Sequence, residues 1–157
     1  MIVHFNTIPA MTLSFSRLLE KDLPFFLEVR NQVKDKLHDS REFTLEEARA
    51  WLTETPIEYW VITMDLLKVG YFRLARVNDS SWQIGADIHP EFQRKGIASK
   101  AYPIFISEIA RKQNPTPTSL ELRVLKNNLI AFSLYVKLGF VIEEETEIDF
   151  KMKMNLT

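Results

Sequence analysis

Cysteine is absent from all 157 residues, which excludes disulfides, a Cys-ligated zinc centre and an acyl-enzyme on a thiol. Histidine is scarce as well. His4, His38 and His89 are far apart in sequence, nothing near them has metal-ligand spacing, and no metal is expected. No apolar run approaches the roughly 18 residues needed to cross a bilayer. Residues 1–10 lack the basic region and apolar core of a secretory signal, so a cytoplasmic location is the default expectation. The formal net charge of -1 gives no electrostatic case for nucleic acid or an anionic membrane as a partner. Glycine occurs four times, so each position can be weighed singly.

What remains is a packed protein. Hydrophobic residues make up 46% and charged residues 26% of the chain, a globular balance. Residues 1–10 read as a short extension, with Met11 an alternative start, and residues 11–157 as a single domain. Thr12 to Leu18 alternates as a half-buried strand does. Lys21 to Val33 carries Leu23, Phe26, Leu27 and Arg30 at helical spacing, with Asp22 placed as a cap before Pro24. Thr44-Leu45-Glu46-Glu47 forms a capping box for a second helix that ends before Pro56. Glu58–Met64, Val69–Val77 and Trp82–His89 are β-branched and aromatic strands separated by turn residues. A helix runs from Ile97 to Lys112, then come a strand from Ser119, a helix through Leu138, and strands from Phe140 and Ile148. The predicted order is β-α-α-β-β-β-α-β-α-β-β, an α/β (α+β) arrangement.

The run Gln93-Arg94-Lys95-Gly96-Ile97-Ala98 lies between a strand and a helix. A helix start leaves backbone N–H groups unpaired, and the helix dipole adds partial positive charge there; such ends bind phosphate. Gly96 lets a ligand approach without a Cβ in the way. Of the neighbouring cations Arg94, Lys95 and Lys100, the last reads rather as a solvated surface charge. Gly70 and Gly85 fall inside strands, where glycine marks a bulge or a close approach, and Gly139 is placed as a helix C-cap. A second motif extends from Asn128 through Ala131 and Tyr135 to Gly139-Phe140, preceded by the strand-like Ser119–Val124.

Together the two motifs resemble the GNAT superfamily of N-acetyltransferases, whose motifs read Gln/Arg-x-x-Gly-x-Gly/Ala and Asn-x-x-Ala-x-x-x-Tyr-x-x-x-Gly-Phe. The likeness runs from about Ile57 to Met154, and more weakly back to Met11. It implies a mixed sheet of about seven strands with about four helices, splayed between the fourth and fifth strands, with acetyl-CoA as cosubstrate. Its pantetheine arm would pair with main-chain groups near Asp87, Ile88 and His89. Its pyrophosphate would rest on the turn from Gln93 to Ser99, that is on Arg94, Lys95, Gly96, Ile97 and Ala98 as well. Asn128 would touch the arm, a role compatible with capping the helix beside it. Tyr135 would protonate the departing thiolate, the alternative being an aromatic core plug. Many relatives place a glutamate as base where this chain has Gln83, and an amide cannot accept the proton. Asp87, His89 or a water chain are the substitutes.

The acceptor is less constrained. Val29-Arg30-Asn31, followed by a polar loop and Phe43 to Leu52, resembles the subgroup of ribosomal-protein alanine, spermidine and amino-sugar-nucleotide acetyltransferases. Arg30 and Asn31 are thereby candidates for acceptor binding, Arg30 having an ion pair to the second helix as its structural alternative. A small primary amine, an amino sugar or a polyamine, is favoured over a protein N-terminus. The acidic run Glu143 to Glu147 would suit a polyamine; Tyr59, Trp60, Tyr71, Phe72 and Trp82 could stack on a sugar or base. A non-catalytic acyl-CoA sensor is the reading from another class. Pairing of the apolar last strands would give a homodimer.

Overall fold

The computed structural model describes residues 11–157; the expected extension and His4 lie outside the described residues. One mixed seven-stranded sheet organises the chain, with strand order β1-β2-β3-β4-β5-β7-β6. The strands are β1 (Leu13–Arg17), β2 (Glu58–Met64), β3 (Leu67–Arg76), β4 (Ser81–Ile88), β5 (Ser119–Leu125), β6 (Val141–Glu145) and β7 (Asp149–Asn155). Four α-helices complete it: α1 (Leu23–Gln32), α2 (Leu45–Glu54), α3 (Ile97–Glu108) and α4 (Leu129–Leu138). The expected order of elements is the one observed.

Alternation along the strands separates two cores. One face of the sheet presents Ile62, Phe72, Leu74, Trp82, Ile84, Leu120 and Leu122 to α3 and α4. Phe72 stacks on Phe105 of α3 with ring centroids 4.0 Å apart. The other face presents Tyr59 and Tyr71 to Leu23, Phe26 and Val29 of α1 and Ala48 of α2. Helix-spaced apolar residues and period-two strands thus meet as their patterns require.

Thr44 caps α2 as expected: its hydroxyl accepts the Glu47 N–H, and the Glu47 carboxylate accepts the Thr44 N–H. Gly139 closes α4 in the left-handed region, φ 105°. Asp22 does not cap α1. Its carboxylate accepts the Leu19 N–H at 2.9 Å and pairs with the Lys68 ammonium at 2.6 Å, because a turn of 3-10 helix at Glu20–Asp22 begins the structure earlier. Helix α3 is also shorter than its pattern, ending at Glu108 and passing into a 3-10 turn at Ala110–Lys112.

The feature that positions the site is the junction of β4 and β5. These strands run parallel and pair only over Ser81–Gln83 with Ser119–Glu121, then diverge. Beyond Gln83, β4 keeps its pairing with β3 and among the described residues has no strand partner on the other side. His89 N–H donates to Val69 O, so by alternation Ala86 and Ile88 direct their main-chain groups into the gap.

Candidate active site

A cavity of about 590 Å³ occupies the divergence of β4 and β5 and continues to the start of α3 and α4. Its walls bring together Asp87 and Ile88 at the end of β4, and Gln93, Arg94, Gly96, Ile97, Ala98 and Ser99 around the start of α3. Asn128 and Tyr135 come from the α4 side. Ten of the twelve residues proposed from sequence for donor and catalysis therefore share one cavity, the exceptions being His89 and Lys95.

The α3 end has the form an anion site needs. Arg94 and Gly96 both have positive φ, 61° and 76°, which winds the turn tightly into the helix. Lys100 N–H closes the first turn onto Gly96 O, leaving Ile97, Ala98 and Ser99 N–H without intrahelical partners, and no side chain caps this end. A Cβ at Gly96 would meet nothing within 4 Å. Glycine is required there first by its φ, while the space before it stays open to a ligand. Lys100 donates instead to Met11 O at 2.7 Å, in keeping with a surface role. Lys95 sits over the Phe92 ring, 5.9 Å from its centroid. Gln93 donates its amide to Ile88 O at 2.9 Å, tying the turn to the strand end, and Asn128 accepts the Ala131 N–H as the α4 cap.

Tyr135 is buried, and its hydroxyl accepts one from Tyr102 of α3 at 3.2 Å. Burial raises the Tyr135 phenol above its ordinary value, against smaller opposing effects of the Tyr102 hydroxyl and the Arg73 charge. With Tyr102 donating, Tyr135 retains its own hydrogen for a group in the cavity. It is at once a core aromatic, edge-on to Phe140 at 5.9 Å, and a wall of the cavity.

Asp87 is the carboxylate in the cavity wall. It is 8% exposed, its Oδ1 lies 3.5 Å from an Arg73 Nη, and its Oδ2 is buried without a hydrogen-bond partner among the described residues. Gln83 is exposed on the same face. His89 is otherwise engaged: Nε2 is 3.2 Å from Glu28 of α1, Nδ1 accepts the Glu91 N–H, and its own N–H is bound to Val69. Its buried ring braces the strand end against α1 and does not line the cavity.

Arg30 and Asn31 hold the loop between α1 and α2. Arg30 is 5% exposed; it donates to Asp39 O at 2.6 Å and to Arg41 O, and lies 3.7 Å from the Phe43 ring centroid. Its acidic neighbour is Asp39 in the loop, not an acid of α2. Asn31 exchanges two 2.8 Å hydrogen bonds with the Phe43 main chain. Their polar atoms thus face the loop, and the cavity is reached from this side by Val33 and Lys36. The same loop is anchored across the molecule by Lys36 to Asn127 O and by His38 Nε2 to Asp149 at 2.9 Å.

Sequence reading missed Tyr102 and Arg73. Tyr102 was hidden in the apolar stripe of α3. Arg73 had a readable signal: a lone cation inside the strand Val69–Leu74, with a glycine in the next strand.

No curated protein sequence matches this chain significantly. Among solved structures, a domain from Methanocaldococcus jannaschii is similar with a TM-score of 0.81 at 19% identity, over 93% of this chain and 99% of that one. Spermidine N-acetyltransferase from Vibrio cholerae, in complex with CoA and spermine, is similar with a TM-score of 0.76 at 20% identity, over 91% and 95%. The N-acetyltransferase PseH of Campylobacter jejuni, in complex with acetyl coenzyme A, gives 0.71 at 15%, over 93% and 100%. These likenesses concern the fold. A family model described as Acetyltransferase (GNAT) domain matches residues 13–141, the span that holds the divergent strands, the α3 turn and Tyr135, and the chain belongs to that family.

Proposed function

We propose that the chain is an acetyl-CoA-dependent N-acetyltransferase acting on the primary amine of a small molecule. The observation that carries this reading is the meeting, in one cavity, of an uncapped helix start, an unpaired strand edge and a buried tyrosine. These fit the donor part by part. The Ile97, Ala98 and Ser99 N–H groups suit its phosphates, with Arg94 adding charge, and the Ala86 and Ile88 main chain suits an extended amide-bearing arm.

When bound, acetyl-CoA supplies the acetyl group: a C–N bond forms to the acceptor nitrogen, the C–S bond breaks, the amine loses a proton and the sulfur gains one. Tyr135 holds a proton at its hydroxyl, and its raised pKa keeps the phenol in the donor form through neutral pH. On the β4 side, Asp87 offers Oδ2 as an acceptor for an ammonium hydrogen. That matters because a lysine-like amine of pKa near 10.4 costs on the order of 4 to 5 kcal/mol to deprotonate at pH 7. The Gln83 amide cannot take a proton.

Amino sugars and polyamines are the acceptors favoured from sequence. The acidic run gives little support to a polyamine, since Glu144 and Glu145 pair with Arg123 and Lys126 at the far edge of the sheet. A thiol-release assay with acetyl-CoA against amino sugars, polyamines, amino acids and peptides with free N-termini tests the proposal. Release with a small amine is expected. Release only with peptides would favour the N-terminal acetyltransferase reading, and CoA binding without release from any amine would favour a sensor.

A further inference from the structure

Arg73 projects from the centre of β3 onto the sheet face that also carries Asp87. Its partner in register is Gly85, and a Cβ there would come within 2.6 Å of Nη2 and 2.9 Å of Cζ. The absence of a side chain at Gly85 thus makes a seat on which the guanidinium lies over β4, within reach of Asp87 on the same strand. The pairing is incomplete. Among the described residues Nε is buried without a hydrogen-bond partner, as is Oδ2 of Asp87; the Tyr71 hydroxyl also faces that carboxylate, and the approach of Nη2 to Oδ1 is a long 3.5 Å. The remainder of the Arg73 side chain is open, 38% exposed.

A buried donor and a buried acceptor, side by side and both unmet, are costly unless a ligand completes them. Asp87 offers an acceptor to an ammonium group. Arg73 offers a planar fork of donors, whose best complement is a carboxylate. The neighbouring Gln83 is neutral and exposed, and Glu121, its register partner on β5, is already engaged by the Ser81 hydroxyl and Lys151. A polyamine would bring only cations to Arg73.

We propose that Arg73, seated on Gly85 beside Asp87, is a specificity-determining residue that selects acceptors bearing a carboxylate next to the amino group. The class is the α-amino carboxylate, whether on a free amino acid or on an amino-sugar acid. This rests on the acetyltransferase reading above.

The test uses matched acceptors with acetyl-CoA: L-alanine and L-glutamate against their α-amides, and glucosaminic acid against glucosamine, with spermidine alongside. The carboxylate-bearing member of each pair is expected to have a kcat/KM higher by roughly 10- to 100-fold, the worth of a charged hydrogen-bonded contact. Which pair is turned over distinguishes the amino acid from the sugar acid. Arg73→Gln should abolish that ratio mainly through KM. Gly85→Ala, which keeps the charge and displaces the guanidinium, should reduce it too, and CoA affinity measured by calorimetry should stay unchanged in both. Equal or better turnover of amides, glucosamine or spermidine, or an unchanged ratio in Arg73→Gln, overturns the proposal and leaves the acetyltransferase reading intact. If no amine is acetylated although CoA binds, the acetyltransferase reading fails and this one with it.

Discussion

At the scale of single residues, the proposed chemistry is divided between a phenol that is hard to ionise and a carboxylate with one oxygen unpartnered among the described residues. Burial holds both Tyr135 and its neighbour Tyr102 above the usual phenol range, and the Tyr102 hydroxyl fixes the direction of the Tyr135 proton. Tyr135→Phe deletes that proton and little volume. Turnover is expected to fall by about 100-fold or more, the usual worth of a positioned acid, with CoA affinity unchanged in calorimetry; unchanged turnover would remove Tyr135 from the mechanism. The tyrosine and Asp87 could be picked out from sequence because motif and strand alternation place them. Tyr102 could not, since its role depends on a second tyrosine from another helix; Arg73 stands out as a lone cation within Val69–Leu74, but its seat depends on the glycine opposite it in the next strand. Arg30 and Asn31, candidates for acceptor binding through the subgroup resemblance, direct their polar atoms to the loop that follows, whose carbonyls and N–H groups they satisfy.

Among elements, the start of α3 combines strain with openness. Arg94 and Gly96 stand in the left-handed region, and three N–H groups lack partners in the helix. Gly96→Ala should cost about 1 to 2 kcal/mol of stability, read as a lowered denaturation midpoint, from left-handed backbone strain alone. Gly96→Glu adds a carboxylate where the phosphates would rest, and calorimetry with CoA should show binding lost; retained tight binding would defeat the phosphate assignment. Most elements were legible because their signals are local. Glu58–Met64 was bounded to the residue, and the Thr44 box and the Gly139 cap are chemical statements about adjacent residues. The failures were at ends decided by distant contacts. Asp22 looks like a cap until Lys68, which lies 46 residues away, draws its carboxylate off.

Over the whole molecule, two buried carboxylates tie separate parts together. Asp22 links the turn before α1 to β3. Asp149 accepts from Thr146 and His38 and pairs with Arg123, joining β7, β5 and the α1–α2 loop. Burial alone would raise Asp22, but Lys68 and the Leu19 N–H outweigh it and hold the carboxyl below its usual range. The Thr146 hydroxyl, with help from His38 and Arg123 and against some burial, does the same for Asp149. Lowered folded values mean that their stabilisation is complete above the unfolded value of about 3.9 and disappears as pH falls through the folded values. Thermal melts should therefore hold steady to about pH 4 and drop below it. Asp149→Asn should lower the neutral plateau by about 1 to 3 kcal/mol and flatten the acid limb; an acid limb identical to that of the parent would exclude Asp149 as a contributor.

The β4–β5 junction rests on three residue pairs, against seven on each flanking junction. Asp87 and Arg73 belong to strands on one side of it, Tyr102 to the helix that links β4 to β5, and Tyr135 to α4, which follows β5. Neither flank holds the candidate site alone: the strand edge at Asp87 and the tyrosine of α4 stand on opposite banks of an open seam and line one cavity only when both are folded.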